Sequence, residues 1–222
     1  MKSRIVSVAA IAGLTLASHA ARADVVFNDT IFWLGGAPVG SLVTEDFSEP
    51  TTVSSLGFHL FTVTSSGQVV IDVLSFELSQ FTGQAVDVNG DGESAFIDSV
   101  IYLFHDDGTP NGGVFIGPYN DDSLNLGTDG SVNGRDSRMV RNLAAGNYLL
   151  VIGAYDYGFD DINAGVNTGA GFGPYTWVNN QMRVADHGDY RLTITGNVVP
   201  TPGAAALIGL GGLALSRRRR AR

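Results

Sequence analysis

Runs of β-branched and aromatic residues seven to eleven long, each closed by aspartate, serine or proline, leave this chain little to fold into besides sheets. The strong runs are Phe58 to Thr64, Gln68 to Leu78, Phe96 to His105, Asn147 to Tyr155 and Tyr190 to Val199. Such residues suit a pleated, half-buried surface. Weaker runs are Val25 to Asn28, Gly40 to Phe47, Val114 to Gly117 and Tyr175 to Val178. Between them stand turn signals such as Ser65-Ser66-Gly67, Asn89-Gly90-Asp91-Gly92, Ala145-Gly146 and His187-Gly188. In the last strong run, alternation directs Tyr190, Leu192 and Ile194 inward and Arg191, Thr193 and Thr195 to water. No stripe of helical period is sustained outside the two termini. The spacing predicts an all-β fold, a single antiparallel β-sandwich of about eight or nine strands, with helices only at the two ends. The glycine-rich insert from Asp156 to Pro174 reads as a surface loop, a flexible connection or the lip of a site.

Charge narrows the function. All 22 acidic residues lie between Asp24 and Asp189, where Arg135, Arg138, Arg141, Arg183 and Arg191 are the five cations, so residues 24–199 carry a net −17. Such a body repels phosphate backbones and anionic lipid, which excludes nucleic-acid binding. The chain has no cysteine, so no disulfide staples the fold.

The remaining eight basic residues flank the two ends. Lys2 and Arg4 precede an apolar run from Ile5 to Leu16 and small residues ending in Ala21-Arg22-Ala23, the layout of a secretory signal peptide. Cleavage after Ala23 gives a mature start at Asp24, and Ser18-His19-Ala20 is a second candidate position. The apolar run is too short to cross about 30 Å of hydrocarbon comfortably. At the other end, Val199-Pro200-Thr201-Pro202-Gly203 precedes the apolar run Ala204 to Leu215 and the cluster Arg217 to Arg220. Gly203 to Ser216 is fourteen residues, roughly 21 Å as a helix. The arginines resist translocation, leaving the C-terminus cytoplasmic and the body outside, and both a transient and a permanent anchor fit this layout.

Pro-x-Pro, a short Gly/Ala/Leu helix and a terminal arginine cluster resemble the PEP-CTERM sorting signal over residues 199–222. Thr201 stands where that family's name-giving glutamate would be, within a Val-Pro-x-Pro-Gly form that the family also uses. The resemblance implies removal of the tail by an exosortase, after transient association with the inner membrane. It places the product at the surface, or in the extracellular polysaccharide matrix, of a bacterium with an outer membrane.

The body offers a second resemblance. Phe61-Thr62-Val63-Thr64 with Gly67 to Ile71, Asp98 to Phe104 with Asp106-Asp107-Gly108, and Asn120 to Ser123, Asp136-Ser137-Arg138 and Leu143 to Tyr148 resemble bacterial pre-peptidase C-terminal (PPC) domains. This resemblance, over about residues 56–197, implies a jelly-roll-like sandwich, with the whole domain spanning residues 24–198, generally an accessory module of secreted proteins and not a catalyst. Residues 24–55 have no counterpart in it.

The sharpest local motif runs from Asp87 to Asp98, DVNGDGESAFID, and follows the twelve-residue calcium-loop pattern. Ca²⁺ takes six to eight oxygens, and alternate positions of a tight loop face its centre. Asp87, Asn89 and Asp91 supply side-chain oxygens in this reading, Glu93 its backbone carbonyl and Asp98 the closing carboxylate, for a structural ion. An acidic solvated turn explains the same residues without a ligand. Asp106, Asp107, Asp121, Asp122 and Asp136, and Asp156, Asp160 and Asp161 in the insert, read as Asx turns before a second cation site.

Motifs of catalysis are missing: there is no Gly-x-Ser-x-Gly, His-Glu-x-x-His or phosphate-binding loop. His59, His105 and His187 are widely separated and read as solvated or strand-edge residues. The expectation is a non-catalytic exported protein. Its alternatives are a calcium-dependent carbohydrate-binding module, stacking sugars on Phe172, Tyr175 or Trp177, and a secreted hydrolase.

Overall fold

The computed structural model describes residues 24–43, 52–106, 113–123, 126–127, 129–169 and 173–201. The signal-peptide residues, including Ala21 and Ala23, lie outside the described residues, as do Pro202, Gly203 and the rest of the tail. Among the described residues no helix is long and apolar enough to cross a membrane.

The regular structure of the described residues is almost wholly strand, and its sheets are antiparallel throughout. Its elements are β1 (Val25–Gly36), β2 (Thr52–Ser55), β3 (Gly57–Val63), β4 (Gly67–Leu74), β5 (Ala95–Phe96), β6 (Ser99–His105) and β7 (Val114–Phe115), then β8 (Arg138–Leu143), β9 (Gly146–Ala154), α1 (Phe159–Ala164), β10 (Val166–Asn167), β11 (Tyr175–Val178), β12 (Gln181–Val184), β13 (His187–Thr195) and β14 (Val198–Pro200). One sheet has the order β10-β2-β1-β13-β4-β8 and the other β14-β3-β9-β6-β7. A small third sheet, β12-β11-β5, adds its own apolar cluster around Phe76, Phe96 and Tyr175.

Alternation builds the sandwich. β13 follows the expected period, with Tyr190, Leu192 and Ile194 buried and Arg191, Thr193 and Thr195 facing outward. These residues join Val69, Ile71 and Val73 of β4 in one core with Phe61 and Val63 of β3, Ile101 and Leu103 of β6, and Leu150 and Ile152 of β9. The two inner faces therefore bury one another, as packed sheets require.

Several elements extend beyond the expected pattern. β1 runs to Gly36 because the opposing strand supplies partners as far as Phe32↔His187, after which β1 pairs with β2. β8, rich in arginine, adds an edge to β4 and buries only Met139 and Leu143.

The insert from Asp156 is not a flexible connection over its described part. Tyr157 is buried with Leu56, Val100, Tyr102, Phe104 and Val151 on the outer face of the second sheet, and Ile162 of α1 packs against them. The Tyr157 hydroxyl bonds the carbonyl oxygens of Val100 and Val151, each at 3.0 Å. This cover explains why β6 is buried on both faces.

Val199, Pro200 and Thr201, read from the sequence as the start of the tail, are joined to the body. Val199 and Pro200 pair with Thr62 and Phe61 in β14, and the Thr201 hydroxyl lies 3.1 Å from that of Thr62. Proline is tolerated there because β14 is an edge strand.

Candidate metal centre

β4 ends at Leu74, and the segment after it is clamped by Asp136. One Asp136 oxygen accepts from the amides of Ser75 (2.7 Å) and Phe76 (2.8 Å) and from the Ser75 hydroxyl. Burial outweighs these bonds and pushes the Asp136 carboxyl up to about 7. The chain then doubles back: the Val86 amide donates to the Glu77 carbonyl at 2.8 Å, and the Ser79 amide to the Gln84 carbonyl at 3.0 Å. That pairing sets Glu77 beside the start of the acidic loop.

The loop is wound by its own carboxylates. Asp87 accepts from the amides of Gly90 (2.5 Å) and Gly92 (3.0 Å), Asn89 from Asp91 (3.0 Å), and Asp91 from Glu93 (2.8 Å). Gly90 and Gly92 have φ of +86° and +91°, a conformation costly for residues with a Cβ. The acid-Asn-acid-Gly pattern thus produces one tight turn, with Asn89 buried and its amide nitrogen without a partner.

Oxygens of Glu77, Asp87 and Asp91 all lie within 4.8 Å of one another. Glu77 is fully buried, and neither of its carboxylate oxygens has a hydrogen-bond partner at normal geometry. Burial first, then the charges of Asp91, Asp87 and Asp189, push its carboxyl up to about 8; the Val88 amide offsets this only in part. Beside the loop is a hollow of about 250 Å³, lined by Asp29, Thr30, Asn89, Asp91, Asp189 and Tyr190 among others.

Of the five residues expected to hold calcium, the structure brings Asp87, Asn89 and Asp91 together. Glu93, expected to offer its backbone carbonyl, directs its side chain to His187 Nε2 at 3.1 Å. Asp98 is placed elsewhere: its buried carboxylate pairs with Arg135 at 2.5 Å, in a separate hollow with Asp121, Asp122 and Tyr155. The reason is the backbone path. A twelve-residue calcium loop must curl until its last position faces the ion, whereas here Ala95 and Phe96 go extended into β5 and pair with Thr176 and Tyr175. Asp98 is pushed up to about 7 by burial, which Arg135 opposes and Asp122 and Asp121 reinforce.

His187 is ringed by acids: Asp186 at 2.6 Å on Nδ1, and Glu93 at 3.1 Å and Asp189 at 3.4 Å on Nε2. Burial lowers its pKa, but these neighbours more than offset that and the net shift is upward. His59, expected at a solvated or strand-edge position, is 1% exposed and bonds the Tyr190 hydroxyl at 2.6 Å. Asp161 caps α1, accepting from Gly158 and Thr168. Of the aromatics considered for sugar stacking, Tyr175 is fully buried against Phe96 and Trp177 is packed in the same cluster; Phe172 lies outside the described residues.

The sequence pattern missed Glu77. Its signal was a lone carboxylate between Phe76 and Leu78, in a strand tail that is otherwise apolar or hydroxylated.

No family model matches the chain, and no curated protein matches it. Among solved structures it is similar to the pre-peptidase C-terminal domain of a collagenase from Bacillus anthracis, at 15% identity and a TM-score of 0.30, over 78% of this chain and 88% of that one.

Proposed function

We propose that this chain is an exported, non-catalytic protein whose PPC-like sandwich is steadied by calcium at the 87–93 loop. In this reading its C-terminal signal hands it, through an exosortase, to the cell surface or polysaccharide matrix. The observation that carries the calcium part is the loop itself, which winds Asp87, Asn89 and Asp91 into one oxygen-rich turn. Oxygen-only donors select a hard cation such as Ca²⁺. Export rests on the two basic-flanked apolar ends, and the PPC assignment on the strand and turn pattern.

The non-catalytic reading is favoured over a hydrolase because the polar contacts of His59 and His187 run to Tyr190 and carboxylates, which orient no serine nucleophile. It is favoured over sugar stacking because Tyr175 is committed to the core.

The test is the melting of the exported protein, isolated from a bacterium that makes exopolysaccharide, with 1 mM Ca²⁺ and with chelator. A Kd of about 10 μM corresponds to about 2.7 kcal/mol of added stability at that concentration. For a domain of this size that is a rise of roughly 5–11 °C. An unchanged midpoint would overturn the calcium part. Intact mass including Arg222 in the exported material would overturn processing.

A further inference from the structure

Glu77 stands outside the calcium-loop pattern, yet it is the buried polar group with the least local explanation. A carboxylate removed from water, with only the Val88 amide nearby and no hydrogen bond of normal geometry, costs several kcal/mol, and placing it against two further carboxylates raises the cost. Such an arrangement persists when something else compensates it. Packing does not require it, because a leucine or methionine of similar volume would fill the position between Phe76 and Leu78 without that cost.

The geometry suits a divalent ion. Calcium–oxygen bonds of about 2.4 Å put any two ligand atoms no more than about 4.8 Å apart, and one oxygen from each of Glu77, Asp87 and Asp91 meets that limit. The loop amides already hold Asp87 and Asp91 in place. Glu77 is held from outside the loop by the Val86–Glu77 backbone bond and by the Asp136 clamp on Ser75 and Phe76.

We infer that Glu77, and not Asp98, closes a calcium cage with Asp87 and Asp91, so that the ion ties the segment following β4 to the 87–93 loop. The inference rests on the calcium reading above and deepens it by assigning the closing ligand. The ion then acts as a clamp between two segments ten residues apart, near the end of the sandwich where the third sheet begins. Asp98 stays with Arg135 and takes no part.

The experiment is calorimetric titration of the full chain with CaCl₂, for the wild type, Glu77→Gln and Asp98→Asn. Glu77→Gln keeps size and shape while removing the charge. The expected result is at least tenfold weaker binding in Glu77→Gln and affinity within threefold of wild type in Asp98→Asn. Wild-type affinity in Glu77→Gln, or an equal loss in Asp98→Asn, overturns the assignment and leaves the calcium reading standing. Absence of binding by the wild type overturns both. Should a variant fail to fold, the wild-type protein still decides. On adding Mn²⁺ as a paramagnetic substitute, the amide signals of Phe76 and Leu78 should broaden before those of Ile97 and Ser99, and the reverse order overturns the assignment.

Discussion

One residue, His59, should contribute an acid-sensitive component to the stability of this protein. Its ring lies within the sandwich, 1% exposed, with the Tyr190 hydroxyl at 2.6 Å and Asp29 at 3.8 Å. Burial lowers its pKa from 6.5 to about 4, although the Asp29 charge pulls the other way. The unfolded chain therefore binds a proton near pH 6.5 that the folded chain refuses until about pH 4. Stability rises with pH wherever the unfolded state holds more protons, so His59 costs nothing above pH 6.5 and its penalty grows as pH falls toward 4. A value of about 4 in place of 6.5 corresponds to a penalty of roughly 3 kcal/mol at pH 4. For some 180 residues that corresponds to about 6–12 °C in Tm. Asp98 and Asp136, pushed up to about 7, act in the opposite sense, since the folded state holds their protons more tightly. The measurement must therefore be a difference: the fall in unfolding free energy from pH 7 to pH 4 in the wild type minus that in His59→Gln, which cannot titrate. The wild type should lose about 3 kcal/mol more. Parallel pH curves for the two proteins, or an NMR titration of His59 with a midpoint near 6.5, would refute the reasoning.

Two further outcomes follow from buried polar contacts. Tyr157→Phe removes the hydroxyl that binds the Val100 and Val151 carbonyls, and should cost about 1–2 kcal/mol in urea unfolding with no change in the m-value. Arg135→Met leaves the Asp98 carboxylate buried without its ion-pair partner and should cost about 3–5 kcal/mol at pH 8. Because Asp98 already sits at about 7 and rises further without the guanidinium, the same variant should lose less than about half of that at pH 5, where the acid is neutral.

What the sequence revealed depended on whether the deciding contact was local. β13 was legible because one of its faces is buried, which writes a period of two into the residues themselves, and β3 and β9 because they are continuous runs rich in β-branched, aromatic and other apolar residues. The second half of β1 and the whole of β8 were not, because their pairing is dictated by β2, β13 and β4 more than by their own mixed composition. The proposed cage divides along the same line. Asp87, Asn89 and Asp91 lie within one turn whose hydrogen bonds run two to five residues, so their spacing alone brings them together. The closing ligand is different, because a twelve-residue spacing rule assumes that the chain continues to curl after the glycine. Here it straightens into β5, under the pull of Phe96 packing against Phe76 at 4.8 Å between ring centroids. Once an acidic loop is flanked by strands, the backbone carries its later positions away at about 3.3 Å per residue. A carboxylate able to face the loop must then come from the segment paired across from its entry, and the Val86–Glu77 hydrogen bond identifies that segment.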